Sequence, residues 1–257
     1  MPAQRVVSLC PSITETLVEI GALPRLAAAT RYCTRPRGVL RGVPRIGGTK
    51  DPDIAKVLAL KPDLVFANQE ENRREDVQAF EAAGIPVDVT FPTTVGQVPR
   101  DVRQWGRLLG GPCEAQAEAL ASRIERALSE ARSGPPPDSF RYAYWIWKDP
   151  WMTVSGATYV ADLLRLAGGV NAYAEEAERY PKSTPAEALA RGARVHLFPS
   201  EPYPFRRARH DEAMRKLFGT ESRRLFVEGD DFCWHGARTL AGLSAVGQLR
   251  RQLTRGG

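Results

Sequence analysis

DPDIAKVLALKPDLVFA, residues 51–67, decides how the rest of the chain is read. Its first half carries helical spacing that must stop before Pro62, because a proline disfavours helix in the residue preceding it. Its second half, Leu64 to Ala67, is a short apolar run of strand length. A helix passed to a buried strand through a three-residue joint is half of a βαβ unit. Working outward, RVVSL (5–9) reads as a buried strand, and Ser12 or Thr14 with Glu15 opens a helix through Ile20 that stops at Gly21. LAAAT (26–30) is a second short strand leading into an Arg31–Gly42 loop. Asn72 to Ala83 is helical and Gly84 ends it, after which Ile85 to Thr90 is the next strand. Strands separated by helices at this spacing predict a parallel sheet.

From Val95 to Arg132 no strand signal occurs, and two helical stretches are parted by Gly110, Gly111 and Pro112. In the second, Ala117, Leu120, Ala121, Ile124, Ala127, Leu128 and Ala131 recur at three- and four-residue intervals, one apolar face of a helix roughly 30 Å long. SGPPPDS (133–139) marks the clearest boundary. Beyond it the alternation resumes: strand in Phe140–Trp147, helix in Tyr159–Ala167 closed by Gly168 and Gly169, helix over Pro185–Ala190, strand Val195–Phe198, helix Glu212–Phe218, strand Arg224–Val227, and a last helix from about Ala237 to Leu253. The expected fold is α/β: two lobes, each a mostly parallel central sheet flanked by helices, joined by a single long backbone helix, with a ligand cleft between lobes. The expected limits are 1–98 for the first lobe, 99–134 for the helical linker and 135–257 for the second lobe.

Composition supports this plan. A chain of 257 residues that is 43% hydrophobic can bury a substantial core. The net charge of +6 is carried by scattered arginines among acids, which argues against nucleic acid as a partner. The densest basic cluster, Arg206, Arg207, Arg209 and His210, reads as a solvated loop or helix start. No apolar run reaches the roughly 18 residues of a membrane span, and MPAQRVVSLCPS has no apolar region of signal-peptide length, so the sequence as written predicts a cytoplasmic chain, or a periplasmic or cell-surface one if a leader was removed. Cys10, Cys33, Cys113 and Cys233 have no C-x-x-C spacing and read as reduced thiols.

In open parallel sheets ligands gather at the carboxyl ends of the strands. Those loops hold Cys10-Pro11-Ser12, Thr30-Arg31-Tyr32, Asn68-Gln69-Glu70-Glu71-Asn72 and Phe91-Pro92-Thr93-Thr94 in the first half. In the second they hold Lys148-Asp149-Pro150-Trp151, Ser200 to Phe205 and Gly229 to His235. Trp145, Trp147, Trp151 and Trp234 lie in or beside the latter; rigid aromatics of this size suit a flat, bulky, partly apolar ligand. Trp145 is the one best read as core. Asn68, with Glu71 three residues on, fits a helix cap and its reciprocal glutamate, leaving Gln69, Glu70 and Asn72 as polar ligand contacts. No G-x-S-x-G elbow, phosphate-binding G-x-x-x-x-G-K-[ST] loop or H-x-x-x-H pair occurs, so nucleophilic, nucleotide and catalytic-zinc chemistry lack support. The adjacent pairs Glu70/Glu71 and Asp230/Asp231 point in different directions, and neither makes an acid/base couple alone.

RVVSLCPSITETLVEIGA, VPRIGGTKDPDIAKVLALKPDLVFA, the AGIPVDV strand and SGATYVADLLRLAGGVNAY together resemble the helical-backbone metal receptors, the substrate-binding proteins of cobalamin and ferric-siderophore ABC importers, with the cobalamin-binding branch nearest. The resemblance covers essentially the whole chain; S-L-x-P-S-x-T-E and L-A-L-K-P-D-L-V are its most specific segments. It implies non-catalytic binding of a corrinoid, siderophore or related tetrapyrrole chelate; a monomer with no tightly held cofactor is expected. Tyr32 matches an aromatic contact of the family, and Tyr180 stands for a second-lobe tryptophan, whereas Thr49 and Asn68 stand where cobalamin binders have tryptophans. The expected ligand-binding residues are Tyr32, Asn68, Gln69, Glu70, Asn72, Trp147, Trp151, Tyr180, Tyr203, Phe205, Trp234 and His235, the last a candidate axial metal ligand. Where importer-bound members carry one glutamate per lobe to pair with a permease, the chain has Ala55 and Ala186, with Asp53 and Glu187 near. Two alternatives stand beside this reading: an importer subunit whose leader is missing, and an enzyme with Glu70, Glu71, Asp231 and His235 converging on a small polar substrate.

Overall fold

The computed structural model of the chain describes residues 1–133 and 138–254. It divides into two compact units. The first comprises Met1–Pro92, Gly96–Arg126 and His235–Arg238; the second comprises Thr93–Val95, Ala127–Trp234 and the chain from Thr239 on. The proline run of the expected boundary, at positions 134–137, lies outside the described residues.

In the first unit the order is β1 (Val6–Ser8), α1 (Pro11–Glu19), β2 (Leu26–Ala29), α2 (Ile54–Ala59), β3 (Leu64–Asn68), α3 (Arg74–Ala82), β4 (Val87–Thr90), α4 (Val98–Leu109) and α5 (Pro112–Arg132). All pairings are parallel, in the order β2-β1-β3-β4. β3 is central and buried along its whole length, as its unbroken apolar run requires. Val7, Leu9, Val65, Ala67 and Phe80 form the core against α2 and α3. On α4, Trp105 is fully buried, its indole N–H donating to Asp88 Oδ2 at 2.9 Å. Arg103 bridges from α4 to Glu118 and Glu125 of α5. The chain passes from the first unit to the second within α5, after Arg126.

The second unit repeats the plan with β5 (Phe140–Tyr144), α6 (Tyr159–Arg165), β6 (Gly169–Asn171), α7 (Pro185–Ala190), β7 (Val195–Pro199), α8 (Arg207–Phe218), β8 (Arg223–Val227), α9 (Gly229–Cys233) and α10 (Thr239–Thr254). Its sheet is again parallel, β6-β5-β7-β8. Its core is aromatic: Trp145, Phe198, Phe205 and Phe218 with Met214.

The structure corrects the sequence reading at four places. The strand expected to Trp147 stops at Tyr144. Gly168 and Gly169 end a helix as expected, but Gly169 also opens β6, a three-residue edge strand with no β-branched run to announce it. A Cβ at Gly169 would fall 2.9 Å from both Leu164 O and the Tyr142 ring, so the close approach requires glycine. Gly229–Cys233, read as loop because Gly and paired Asp are poor helix formers, makes the short helix α9 with its acids in the first turn. Finally, α8 begins at Arg207 rather than Glu212, because His210 Nδ1 accepts the Arg206 N–H at 2.9 Å and supplies the missing cap from within the helix.

Candidate ligand-binding loops at the strand carboxyl ends

In the first unit, Asn68 does not cap α3. Its Oδ1 accepts the N–H groups of Glu70 at 2.9 Å and Glu71 at 3.2 Å, closing a turn that delays the helix to Arg74. Asn72 locks this turn from inside: its Oδ1 takes the Asn68 N–H at 2.8 Å, and its Nδ2 donates to Leu9 O at 3.1 Å and Thr49 O at 3.0 Å. Both asparagines are buried, so these two expected contacts are frame rather than ligand surface. Asn72→Ala is expected to cost about 2 kcal/mol, since it leaves two carbonyls and one N–H unmet; urea denaturation measures it.

The surface that this frame presents is polar. Gln69 is exposed and Glu70 half-buried, with the Glu70 carbonyl taking a hydrogen bond from Lys50 Nζ. The Glu71 side chain keeps access to solvent, yet crowding by protein raises its carboxyl above the usual range. Lys50 and the Thr49 hydroxyl pull that carboxyl down, and Glu70 pushes it up. Tyr32 is 52% exposed. The guanidinium of Arg31 lies 5.0 Å from its ring and pairs with Asp51 at 3.0 Å. Gly48 is packed so closely that a Cβ would fall 2.1 Å from Asp51 Oδ1.

His235, expected as a loop ligand, is instead 6% exposed within the first unit. Its Nδ1 lies 3.4 Å from Ser12 Oγ, which is 3.2 Å from Cys10 Sγ, and the Trp105 ring stands 6.2 Å away. Burial holds its pKa down to about 4. Among the described residues its Nε2 has no hydrogen-bond partner.

In the second unit, Trp147 is 41% exposed just past the end of β5 and meets Tyr203 edge-on at 5.6 Å. Tyr203 lies 4.5 Å from Phe205, and Phe205 stacks on Trp151 at 6.1 Å with the planes 13° apart. Trp151 in turn packs edge-on against Trp145 at 5.1 Å. Phe205 is buried at 2% exposure and belongs to the core cluster, a correction to its place among the contacts; it props Tyr203 and Trp151. Tyr180, half-buried, has the Arg179 guanidinium 5.9 Å from its ring. Trp234 is half-buried, its backbone N–H held by Asp230 O at 3.1 Å. Sequence reasoning passed over Tyr144 at this end of the sheet, and it singled out the loops of Glu201 and Cys233 without naming those two as contacts. Only the last position of a strand, where the chain turns outward, could have marked Tyr144.

Two α/β units with the same strand order, bearing aromatic and polar side chains on the loops that leave their strands, define a two-unit ligand-binding protein. The chain belongs to the periplasmic binding protein family, whose sequence profile matches residues 6–201. It is similar to the vitamin B12-binding protein of Vibrio parahaemolyticus, 27% identical over 215 residues, covering 83% of this chain and 74% of that one. Its fold matches the periplasmic vitamin B12-binding protein of Vibrio cholerae with a TM-score of 0.84 at 21% identity, over 97% of both chains. It also matches a periplasmic heme-binding protein of Pseudomonas aeruginosa with a TM-score of 0.79 at 21% identity, over 96% of this chain and 92% of that one.

Proposed function

We propose that the protein binds a metal chelate, a corrinoid, siderophore or related tetrapyrrole, without transforming it, through the loops at the carboxyl ends of its strands. The observation that carries this reading is Trp147. A solvent-facing indole is propped on a ladder of Tyr203, Phe205 and Trp151, a rigid flat face whose ordering the fold has already accomplished. The vitamin B12 and heme relatives support the same class of guest. On the first unit the contacts are Tyr32, Gln69 and Glu70, and on the second Trp147, Trp151, Tyr180, Tyr203 and Trp234. The tryptophans that cobalamin binders have at positions 49 and 68 are replaced by a buried Thr49 and the turn-forming Asn68, which favours a more polar guest.

Relatives named for binding rather than for a reaction support the non-catalytic reading. Docking to a permease through one acid on each unit lacks support at the two alanine positions. Ala55 and Ala186 are exposed. The neighbouring acids are engaged locally: Asp53 accepts the Lys56 N–H at 2.9 Å, and Glu187 bonds Ser183 and pairs with Arg191. Among the described residues no helix is long and apolar enough to cross a membrane.

Titration with cobalamin, cobinamide, heme and ferric siderophores, followed by indole fluorescence and visible absorption, tests the proposal. At least one is expected to bind, and Trp147→Ala to weaken it about tenfold, the equivalent of one aromatic stacking contact. Absence of any spectral change with all four would sink the chelate reading.

A further inference from the structure

The carboxyl end of the second sheet holds a polar atom that the aromatic ladder does not use. Tyr144, the last residue of β5, is 1% exposed, and among the described residues its hydroxyl has no hydrogen-bond partner. A phenol removed from water and left unpaired is costly, so one at a strand end calls for a partner from outside the chain.

Its surroundings tell what kind of partner. Glu201 follows β7, Glu228 follows β8, and Asp230 and Asp231 open α9. Glu201 is held rather than free to swing: Cys233 Sγ donates to its Oε1 at 3.3 Å. Gly229 packs against it so tightly that a Cβ would fall 2.6 Å from Glu201 Cγ, and the Gly229 N–H is fastened to Ser200 Oγ at 2.9 Å. The Phe232 ring, 6.1 Å from that of Tyr144, ties α9 to the same place. Tyr142 makes the contrast. Two residues earlier on the same face of β5, it too is buried with an unpartnered hydroxyl, but burial alone raises its pKa. Tyr144 is raised by burial first and then by Cys233, Glu201, Tyr142 and Asp230, so two carboxylates, Glu201 and Asp230, bear on this phenol and not on its neighbour. Among the described residues no group of three or more His, Cys, Asp or Glu is placed to hold a metal ion.

We propose that this acidic end of the second unit receives a cationic, N–H-donating group on the periphery of the bound chelate, with Glu201 and Asp230 supplying the charge and the Tyr144 oxygen accepting a hydrogen bond. The inference rests on the chelate-binding reading above and adds to it the charge of the guest. It runs against the net charge of +6, whose long-range field attracts anions; a preference for a cation must therefore arise locally.

The test uses the full chain and two zinc porphyrins of one ring, one with four ammonium-bearing arms and one with four carboxylate-bearing arms, with cobalamin, cobinamide and heme as further chelates. At low salt the ammonium porphyrin is expected to bind about tenfold more tightly than the carboxylate porphyrin, and added salt to shrink the difference. Glu201→Gln, which keeps an acceptor for Cys233, is expected to remove most of the preference, and Tyr144→Phe to weaken the ammonium porphyrin severalfold with thermal melting unchanged. Equal or tighter binding of the carboxylate porphyrin, or a preference untouched by Glu201→Gln, overturns the inference and leaves the chelate reading standing. Failure of every one of the chelates to bind overturns both.

Discussion

Lowering the pH from 7 to 4.5 is expected to remove about 5 kcal/mol of folding stability, roughly half through His196 and half through His235. His196 is fully buried: the Trp145 indole N–H donates to its Nδ1 at 3.3 Å, and the Phe218 ring centroid lies 4.2 Å away. Burial, aided by Arg194 and Arg224, lowers its pKa to about 3, and burial alone lowers that of His235 to about 4. The sign follows from the depressed folded values. Above the ordinary value of 6.5 both states hold neutral imidazoles and nothing is lost. As the pH falls through that value the unfolded chain takes up protons and the folded chain does not, so stability drains until the folded pKa values are reached. His210, lowered chiefly by burial, acts in the same direction. The raised carboxyls of Glu71 and Asp101, each shifted first by burial, oppose it, because they protonate earlier in the folded state. Urea denaturation at pH 7 and 4.5 measures the loss, and His196→Gln, which retains an acceptor for Trp145, is expected to halve it. A stability profile flat across this range in the unaltered protein would contradict the prediction.

Glu15→Ala is expected to cost about 3–5 kcal/mol, the penalty for leaving one charge of an enclosed pair without its counterpart. Arg238 donates from Nε to Glu15 Oε2 at 2.9 Å and from Nη2 to Oε1, with both side chains largely buried at 15% and 13% exposure. The pair fastens residues 235–238 to α1 although 223 positions separate the partners. The packing beside it is equally close. Thr16 Oγ1 accepts the Ala237 N–H at 2.9 Å, and Gly236, at φ +80°, leaves no room for a Cβ, which would fall 2.1 Å from that oxygen. Replacing both partners, Glu15→Ala with Arg238→Met, is expected to recover part of the loss, because no uncompensated charge remains. A double variant as unstable as the sum of the singles would show that the two side chains act independently.

The βαβ plan was legible because its signals are local. Pro62 stops α2, glycines at 21, 84 and 168 end their helices, and the apolar run of Leu64–Ala67 has the length of a buried strand. β6 and α9 were not legible, since three residues beginning with glycine and five containing Gly-Asp-Asp have weak intrinsic preferences that neighbouring elements override. Among the candidate contacts, the sequence placed the aromatic residues in loops that leave the strands but could not sort Trp147, which faces solvent, from Phe205, which lies in the core. Both are large aromatics flanked by proline-containing loops, and the difference is set by what packs behind them.

The order of residues by itself determined the class of fold, the parallel direction of the sheets and the loops that carry the candidate site, because periodicity, helix breakers and strand length act over a few residues. Only the tertiary structure decided the roles of single side chains. Asn68 became the pivot of a turn because Asn72 and the Glu70 and Glu71 amides are arranged around it. His235 became a buried neutral ring because it joins the first unit beside Ser12 and Trp105. Tyr144 became an unpaired phenol among acids because β7, β8 and α9 bring Glu201 and Asp230 to its end of the sheet. Burial, pairing and pKa depend on groups brought together from distant parts of the chain, and a one-dimensional pattern holds no record of those meetings.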